Sequence, residues 1–506
     1  MTDTDVIVIG TGIGGGTMAR ALAEAGLSVV MIEKGRAGPR AEETALDPAQ
    51  ADPVARAIRG FWPDPVTAQI DGRQGELFAP LGSGLGGSSV FYAATLERPA
   101  RHDIESTEGR PHPTGGWPLG WDDLAPWIDA AERLFHVHGE PDPLDDRPEP
   151  MLAIPPPPSA GDAAIMAGLR ENGIHPYRLH AALEYLPGCA ECFGRKCPRP
   201  CKKDGRSAGV EPALATGRAR LIAGAEVTRI LMRGGQATGV AFRDATGDHR
   251  MTARHVVLAA GALSSPRLLA ASYPEAAGAA HVGRGLMFHL NEMFAVWPGG
   301  AAAGSGPSKA VGFRDLYFAG GQRLGMVQAM GVDAGQPEIL HYLRTRAAER
   351  GLTGRFLREG LRLPAALAAR FLGQAKIFVG LLEDLPDPDN RVTDRDGRIC
   401  ITYHTPPEAL ERRRLFRRLI ARAFRGNRVL FLSDRPEPNL GHPCGTLRMG
   451  RTAAEGVTDG FGLVHGAGNL WVADASVFPT SMGVNPSLTI AALALRTADR
   501  IEREMR

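Results

Sequence analysis

The chain has 506 residues, too many for one hydrophobic core and enough for two or three structural units. Its 43% hydrophobic and 23% charged residues are ordinary for a soluble globular protein, and 58 basic against 56 acidic side chains, net +2, exclude a general attraction to nucleic acid. No apolar run approaches the roughly 20 residues of a membrane-spanning helix, and the short polar stretch before residue 6 leaves no room for a secretory leader, so a cytoplasmic location is expected.

Residues 6–9, Val-Ile-Val-Ile, form a β-rich run. Gly10-Thr11-Gly12-Ile13-Gly14-Gly15 follows, then a helical pattern to residue 26 and a second strand over 27–32 that ends at Glu33. Strand, glycine turn, helix, strand and acid stand in the order of a dinucleotide-binding unit. Gly10 allows the tight turn, Gly12 lets a pyrophosphate approach the backbone, and Gly15 permits close helix packing, while the helix start offers unpaired N–H groups to phosphates. Glu33 would accept hydrogen bonds from ribose hydroxyls, which disfavours NADP; the unit alone does not separate FAD from NAD.

A second glycine-rich stretch occupies 82–89, and prolines concentrate over 140–158 as a connection between units. Four of the six cysteines then fall within thirteen residues, as Cys189-x2-Cys192-x4-Cys197-x3-Cys201. In a chain without a leader this favours a metal or redox site over a disulfide framework. The prolines and cations at 198–203 suit an anionic set of thiolates, because rigid turns aim the sulfurs and positive charge offsets theirs. An iron-sulfur cluster, tetrahedral zinc, disulfides and unliganded thiols all stay open on spacing alone. Cys400 and Cys444 stand apart and read as buried structural thiols.

Glycine and alanine at 299–306 suggest a flexible loop near the substrate entrance. Residues 355–378 mix Leu, Phe and Ala with Arg358, Arg362, Arg370 and Lys376, which fits either an amphipathic surface for lipid or a redox partner, or a half-buried helix pair interrupted at Pro364. Near the C-terminus His442-Pro443-Cys444-Gly445-Thr446 precedes Asp474-Ala475-Ser476. Asn485-Pro486 before the apolar run 488–498 then reads as an N-cap and N1 proline opening a helix.

Read together, these segments resemble the glucose-methanol-choline (GMC) oxidoreductases, and the resemblance spans nearly the whole chain. It is carried by the first glycine motif, by Gly82-Ser83-Gly84-Leu85-Gly86-Gly87-Ser88-Ser89, by Trp117-Pro118-Leu119 leading to Ala131-Glu132-Arg133, by residues 256–266 (VVLAAGALSSP), and by the C-terminal block. It implies FAD contacts at Gly82, Gly86, Gly87, Ser88, Val227, Gly261, Asp474 and Pro486, besides Gly10, Gly12, Gly15 and Glu33. Phe91-Tyr92 stand where relatives often have Asn, and no histidine lies between Gly82 and Tyr92, so the FAD is expected to be non-covalent. By the same resemblance His442 is the base that takes the alcohol proton, and Asn485 orients the substrate oxygen. The spacing of Cys192, Cys197 and Cys201 is similar to that of the family's iron-sulfur-containing bacterial sugar dehydrogenases, which implies a 3Fe-4S or 4Fe-4S cluster, with zinc as the alternative.

The expected fold class is α/β. It comprises a discontinuous Rossmann-like FAD-binding domain over 1–100, 202–290 and 440–506, a helical connection with the cysteine segment over 101–201, and a substrate cap with an antiparallel sheet and helices over 291–439. The expected activity is oxidation of a CH–OH group in a sugar, polyol or other small-molecule alcohol. Electrons would leave through the cysteine-bound cluster to an acceptor protein or quinone. The alternatives are an oxygen-using alcohol oxidase with structural zinc or free thiols, and a flavin electron-transfer protein without substrate chemistry. Peripheral membrane contact is compatible with residues 355–378, and no nucleic acid partner is expected.

Overall fold

The computed structural model describes residues 3–43, 52–145, 151–189, 191, 194–298, 308–332, 335–348, 352, 354–372 and 375–506. The apolar run near the start becomes the strand Thr4–Ile9, almost wholly buried as a strand covered on both faces must be. It pairs in parallel with Val29–Glu33 on one side and with Gly247–Leu258 on the other, and Ala219–Ala223 extends the sheet beyond Val29–Glu33. The helix Ile13–Glu24 crosses between the first two strands.

The strand Gly247–Leu258 shows two environments in one element. Its first half alternates exposed and buried residues and pairs antiparallel with Gln236–Asp244, whereas residues 255–258 are buried without interruption and pair in parallel with Thr4–Ile9 and Leu470–Val472. Alternation marks a sheet with one wet face, and continuous burial marks a sheet covered on both. The C-terminal segment thus enters the sheet on the other side of Gly247–Leu258 from the N-terminal strand, and the helix Ser487–Met505 packs against Ile13–Glu24.

A second, antiparallel sheet runs in the order Gly312–Phe313, Val327–Ala329, Lys376–Leu382, Leu290–Trp297 and Arg428–Phe431. Its apolar face carries Phe294, Phe378 and Val327 against Phe416 and Ile420 of the helix Pro407–Ala423. A smaller four-stranded sheet joins Val66–Ile70 and Arg73–Leu77 to Arg391–Arg395 and Arg398–Tyr403. The architecture is therefore the α/β arrangement read from the sequence, a Rossmann-like sheet with a second antiparallel sheet and its helices.

Two local readings change. The helices Arg355–Gly360 and Arg362–Leu372 part at Leu361, and Pro364 lies in the first turn of the second, where its missing N–H has no helical partner to lose. Lys376 belongs to the cap sheet, where its buried ammonium meets Asp162 at 2.9 Å, so it adds nothing to a surface. The loop expected at 299–306 lies outside the described residues.

Candidate active site

The two sheets face each other across a cavity of about 1660 Å³, larger than an ordinary small-ligand pocket and roomy enough for a dinucleotide with a substrate beside it. Gly10, Gly12, Ile13 and Gly14 are part of its lining. Gly12 occupies the N-cap position of the helix Ile13–Glu24 without any side-chain cap, and a Cβ built on it would meet nothing within 4 Å. An uncapped helix start with open space at its tip is what a pyrophosphate needs. Gly14 and Gly15 serve packing instead: a Cβ on Gly14 would lie 1.7 Å from the Ala473 carbonyl oxygen and one on Gly15 2.1 Å from that of Gly10.

The other residues expected at a cofactor are distributed in two layers. Glu33, Gly82, Gly87, Ser88, Val227, Gly261, Asp474 and Pro486 lie on the cavity wall. Gly86 sits behind it, donating its N–H to Thr11 Oγ1 at 3.2 Å. Thr11 in turn donates from its N–H and its hydroxyl to Glu33 Oε2, at 3.1 and 2.7 Å, so the two glycine loops are stitched together through that carboxylate. Burial pushes the Glu33 carboxyl up despite these bonds. Asp474 is saturated within the chain, accepting from Gly261 N, Ser265 Oγ, and the N–H and hydroxyl of Ser476. It joins the loop after one parallel strand to the loop after the next, a turn-and-cap role that holds the wall in place.

His442 and Asn485 line the same cavity. His442 is brought there by a bridge in which Met287 and Cys444 exchange backbone hydrogen bonds, both at 3.0 Å. That bridge also delivers His289, which no motif in the sequence marks. Its Nδ1 lies 2.9 Å from His442 Nδ1, and its Nε2 lies 3.0 Å from the Met482 carbonyl oxygen. A carbonyl only accepts, so the His289 proton resides on Nε2 and its Nδ1 is a lone pair. His442 must therefore carry its proton on Nδ1, which leaves Nε2 basic and without a hydrogen-bond partner among the described residues. Burial holds His289 down to about 4, and burial together with His289 holds His442 well below the ordinary imidazole value, so both rings are neutral at physiological pH.

Asn439 flanks the pair. Its Oδ1 accepts from Gly441 N at 3.0 Å, which turns its Nδ2 toward His442 Nδ1 at 3.2 Å, where it competes for the same atom. Asn485 does not cap its helix. The helix Ser487–Met505 begins after Pro486, which takes the cap position with helical dihedrals, and the buried Asn485 Oδ1 has no hydrogen-bond partner. The carboxamide is held by the loop before it, where Met482 adopts a left-handed φ of 62°, a strained value for a side chain of this size. Tyr317 Oη accepts from Gly483 N at 2.6 Å, and Ser481 exchanges hydrogen bonds with the backbone of Asp384, so the strain is held from two sides.

Two more carboxamides on the cavity wall share this feature. Asn291 Oδ1 and Gln328 Oε1 are buried on the cavity wall without partners. They come from the two strands that flank Lys376–Leu382 in the cap sheet, and no sequence pattern marks them. Buried acceptors left unpaired are costly, so the wall is built to receive hydrogen-bond donors.

The cysteine segment abuts the same cavity. Gly194 and Arg195 line it, and Gly194 N donates to the carbonyl of Phe91 in the glycine loop at 2.8 Å. Lys202, fully buried, donates to the carbonyls of Arg195 and Tyr92 at 2.7 and 3.3 Å. Cys189 Sγ and Cys201 Sγ are 3.2 Å apart, and burial pushes the Cys189 thiol up to about 11; Cys197 is buried too, but among the described residues the three thiols do not gather into one metal-sized group. Cys192 lies outside the described residues.

A helix start opening on a cavity lined by both a Rossmann-like sheet and an antiparallel cap, with a neutral base on the same wall, defines a dinucleotide-dependent oxidoreductase. The chain belongs to the GMC oxidoreductase family, whose N-terminal model matches residues 4–291 and whose C-terminal model matches residues 421–494. It is thus an FAD-dependent enzyme, and the open Gly12 tip and the donor-seeking wall fit that cofactor with a substrate beside it. It is 28% identical to paromamine 6'-oxidase of Streptomyces fradiae, covering 99% of this chain and 92% of that one. It is 26% identical to the fructose dehydrogenase large subunit of Gluconobacter japonicus, over 99% and 98%. Among solved structures it is similar in fold to pyridoxine 4-oxidase from Mesorbium loti, with a TM-score of 0.63, 19% identity, and 98% and 99% coverage.

Proposed function

We propose that this enzyme oxidises a CH–OH group of a polyhydroxylated or amino-substituted alcohol, with His442 as the base and Asn485 orienting the reacting oxygen. The observation that carries the reading is the fixed tautomer of His442, whose free Nε2 shares the cavity with the unpartnered Asn485 carboxamide. Bound FAD supplies a two-electron acceptor for the hydride. An alcohol gives up hydride readily only as its proton leaves, and His442 Nε2 is the neutral acceptor for that proton. Its Nδ1–H remains bonded to His289, which keeps the ring oriented as it becomes charged. Asn291 and Gln328 would accept from further hydroxyl or ammonium groups of the substrate, which supports a polyol, sugar or aminosugar over a simple alkanol. Paromamine and fructose, in the names of two relatives, are compounds of that kind.

For electron exit we favour a cluster held by Cys189, Cys192, Cys197 and Cys201, which would place the enzyme in the iron-sulfur dehydrogenase branch. The segment's contacts to the glycine loop through Gly194 and Lys202 support it, since a relay must lie close to the flavin wall. The acceptor beyond it would be a protein or a quinone. The second reading, oxygen as acceptor with zinc or free thiols at the cysteines, is favoured by the oxidases among the relatives. Anaerobic bleaching of the bound flavin by sugars and aminosugars tests the chemistry; persistence of bleaching in His442→Ala would refute the base. Iron and sulfide content with an EPR spectrum tests the exit: zinc alone, with hydrogen peroxide formed in air, would establish the oxidase.

A further inference from the structure

The helices between residues 336 and 372 present an inverted surface. Of the twelve large apolar side chains exposed among the described residues, seven fall between Tyr342 and Phe371, so the exposure is concentrated rather than scattered. On the helix Arg362–Leu372 the residues Leu363, Leu367 and Phe371 recur at i, i+4 and i+8, and are 68%, 62% and 51% exposed, while Ala365 is the buried residue. Phe356 on the preceding helix is 95% exposed. A helix packed for burial alone would turn the leucines inward and the alanines out.

Charge accompanies this stripe. Arg362 and Arg370 stand on the flank beside the leucines, and residues 355–372 hold four arginines against one glutamate. That acid, Glu359, is paired with Arg362 at 2.6 Å. At the patch edge the Arg428 guanidinium lies over Phe371 and Trp297, 4.7 and 4.6 Å from the ring centroids. A second copy packed by two-fold symmetry would set arginine against arginine, which disfavours a self-contact. Among the described residues no helix is long and apolar enough to cross a membrane. Tyr342 and Leu352, in the same stretch, line the cavity, so the surface lies beside the cavity mouth.

We infer that the face formed by Phe356, Leu363, Leu367, Arg362 and Arg370 seats the enzyme on an anionic lipid surface, its helices lying in the interface and its cavity mouth beside the membrane. The inference is independent of the chemistry proposed above. It is tested by sedimenting the full-length, flavin-loaded protein with phosphatidylcholine vesicles, with and without phosphatidylglycerol, at low and high salt. Binding is expected only to the anionic vesicles and is weakened by salt. Phe356→Ser, Leu363→Ser and Leu367→Ser combined should lower it at least about tenfold. Arg362→Ala or Arg370→Ala should each lower it about fivefold, the ~1 kcal/mol gained per basic residue near such a surface. Thermal unfolding and flavin content stay at parent values in all of them, because the substituted side chains are exposed. Absence of binding to anionic vesicles, binding indifferent to these substitutions, or a dimer in light scattering that the triple variant dissolves would each overturn the inference, the last assigning the face to a second copy.

Discussion

Replacing His289 by leucine isolates the tautomer of His442 from its position. The Met482 carbonyl is left to share the single Ser481 hydroxyl proton, 3.1 Å away, with the Asp384 carbonyl at 3.0 Å, so the fold loses about one neutral hydrogen bond, ~1 kcal/mol. The Nδ1–H of His442 fares worse, since it would face hydrocarbon and leave a buried donor unmet, at about 1–3 kcal/mol. Moving the proton to Nε2 removes that cost and lets Nδ1 accept from Asn439 Nδ2, 3.2 Å away, but it occupies the atom that should take the substrate proton. A bias of about 2 kcal/mol lowers the competent tautomer roughly 30-fold, within a range of about 5 to 150. The rate of anaerobic flavin reduction at saturating alcohol, followed by stopped flow, should fall by that factor with flavin content retained. Adding Asn439→Ala should recover severalfold, because the competing donor is gone and the two substitutions act on one atom. A rate within about twofold of the parent, or a double variant no faster than His289→Leu, would refute the reasoning.

The depressed imidazole values set the acid limb. A base whose value is lowered stays neutral as pH falls through 6.5 and is lost only as pH passes through its own lower value, so kcat/KM should be flat from neutrality down past pH 6.5; a limb centred at or above 6.5 would contradict it. Gly12→Ala should yield folded protein with little flavin, stable in the apo form to within about 1 kcal/mol, because the added methyl enters only the space meant for phosphate. Gly14→Ala, 1.7 Å from a backbone oxygen, should instead lose more than about 3 kcal/mol or fail to fold; purification yield, flavin spectra and thermal unfolding separate the two. Gln328→Leu should raise KM for a polyol about tenfold with kcat largely kept, the loss of one hydrogen bond worth ~1.4 kcal/mol, and should leave a simple monohydric alcohol unaffected in a steady-state comparison.

Much of the nucleotide end was legible because it is local. Residues 4–33 specify strand, turn and helix through neighbours a few positions apart, and glycines at the turn declare where backbone must approach backbone or ligand. The helix after Pro486 was legible for the same reason, though its cap was not. Asn485 is a good capping residue by type, but the Met482–Gly483 turn, pinned by Tyr317 from the cap, points its carboxamide elsewhere. Pro364 was similarly misjudged as a break, since a proline in a first turn interrupts nothing.

From the order of residues alone came the Rossmann-like start, the α/β class, and the presence of an imidazole, a carboxamide and a cluster of thiols suited to redox chemistry. Tertiary structure alone decided that His289 meets His442 across 153 positions, that the unpaired carbonyls of Asn291 and Gln328 belong to the cavity Asn485 lines, and that leucines on one cap helix face outward. The physical reason is that periodicity encodes which face of an element is apolar, whereas which elements confront each other depends on long-range strand pairing. A bridge such as Met287 to Cys444 leaves no trace in the residues on either side of it.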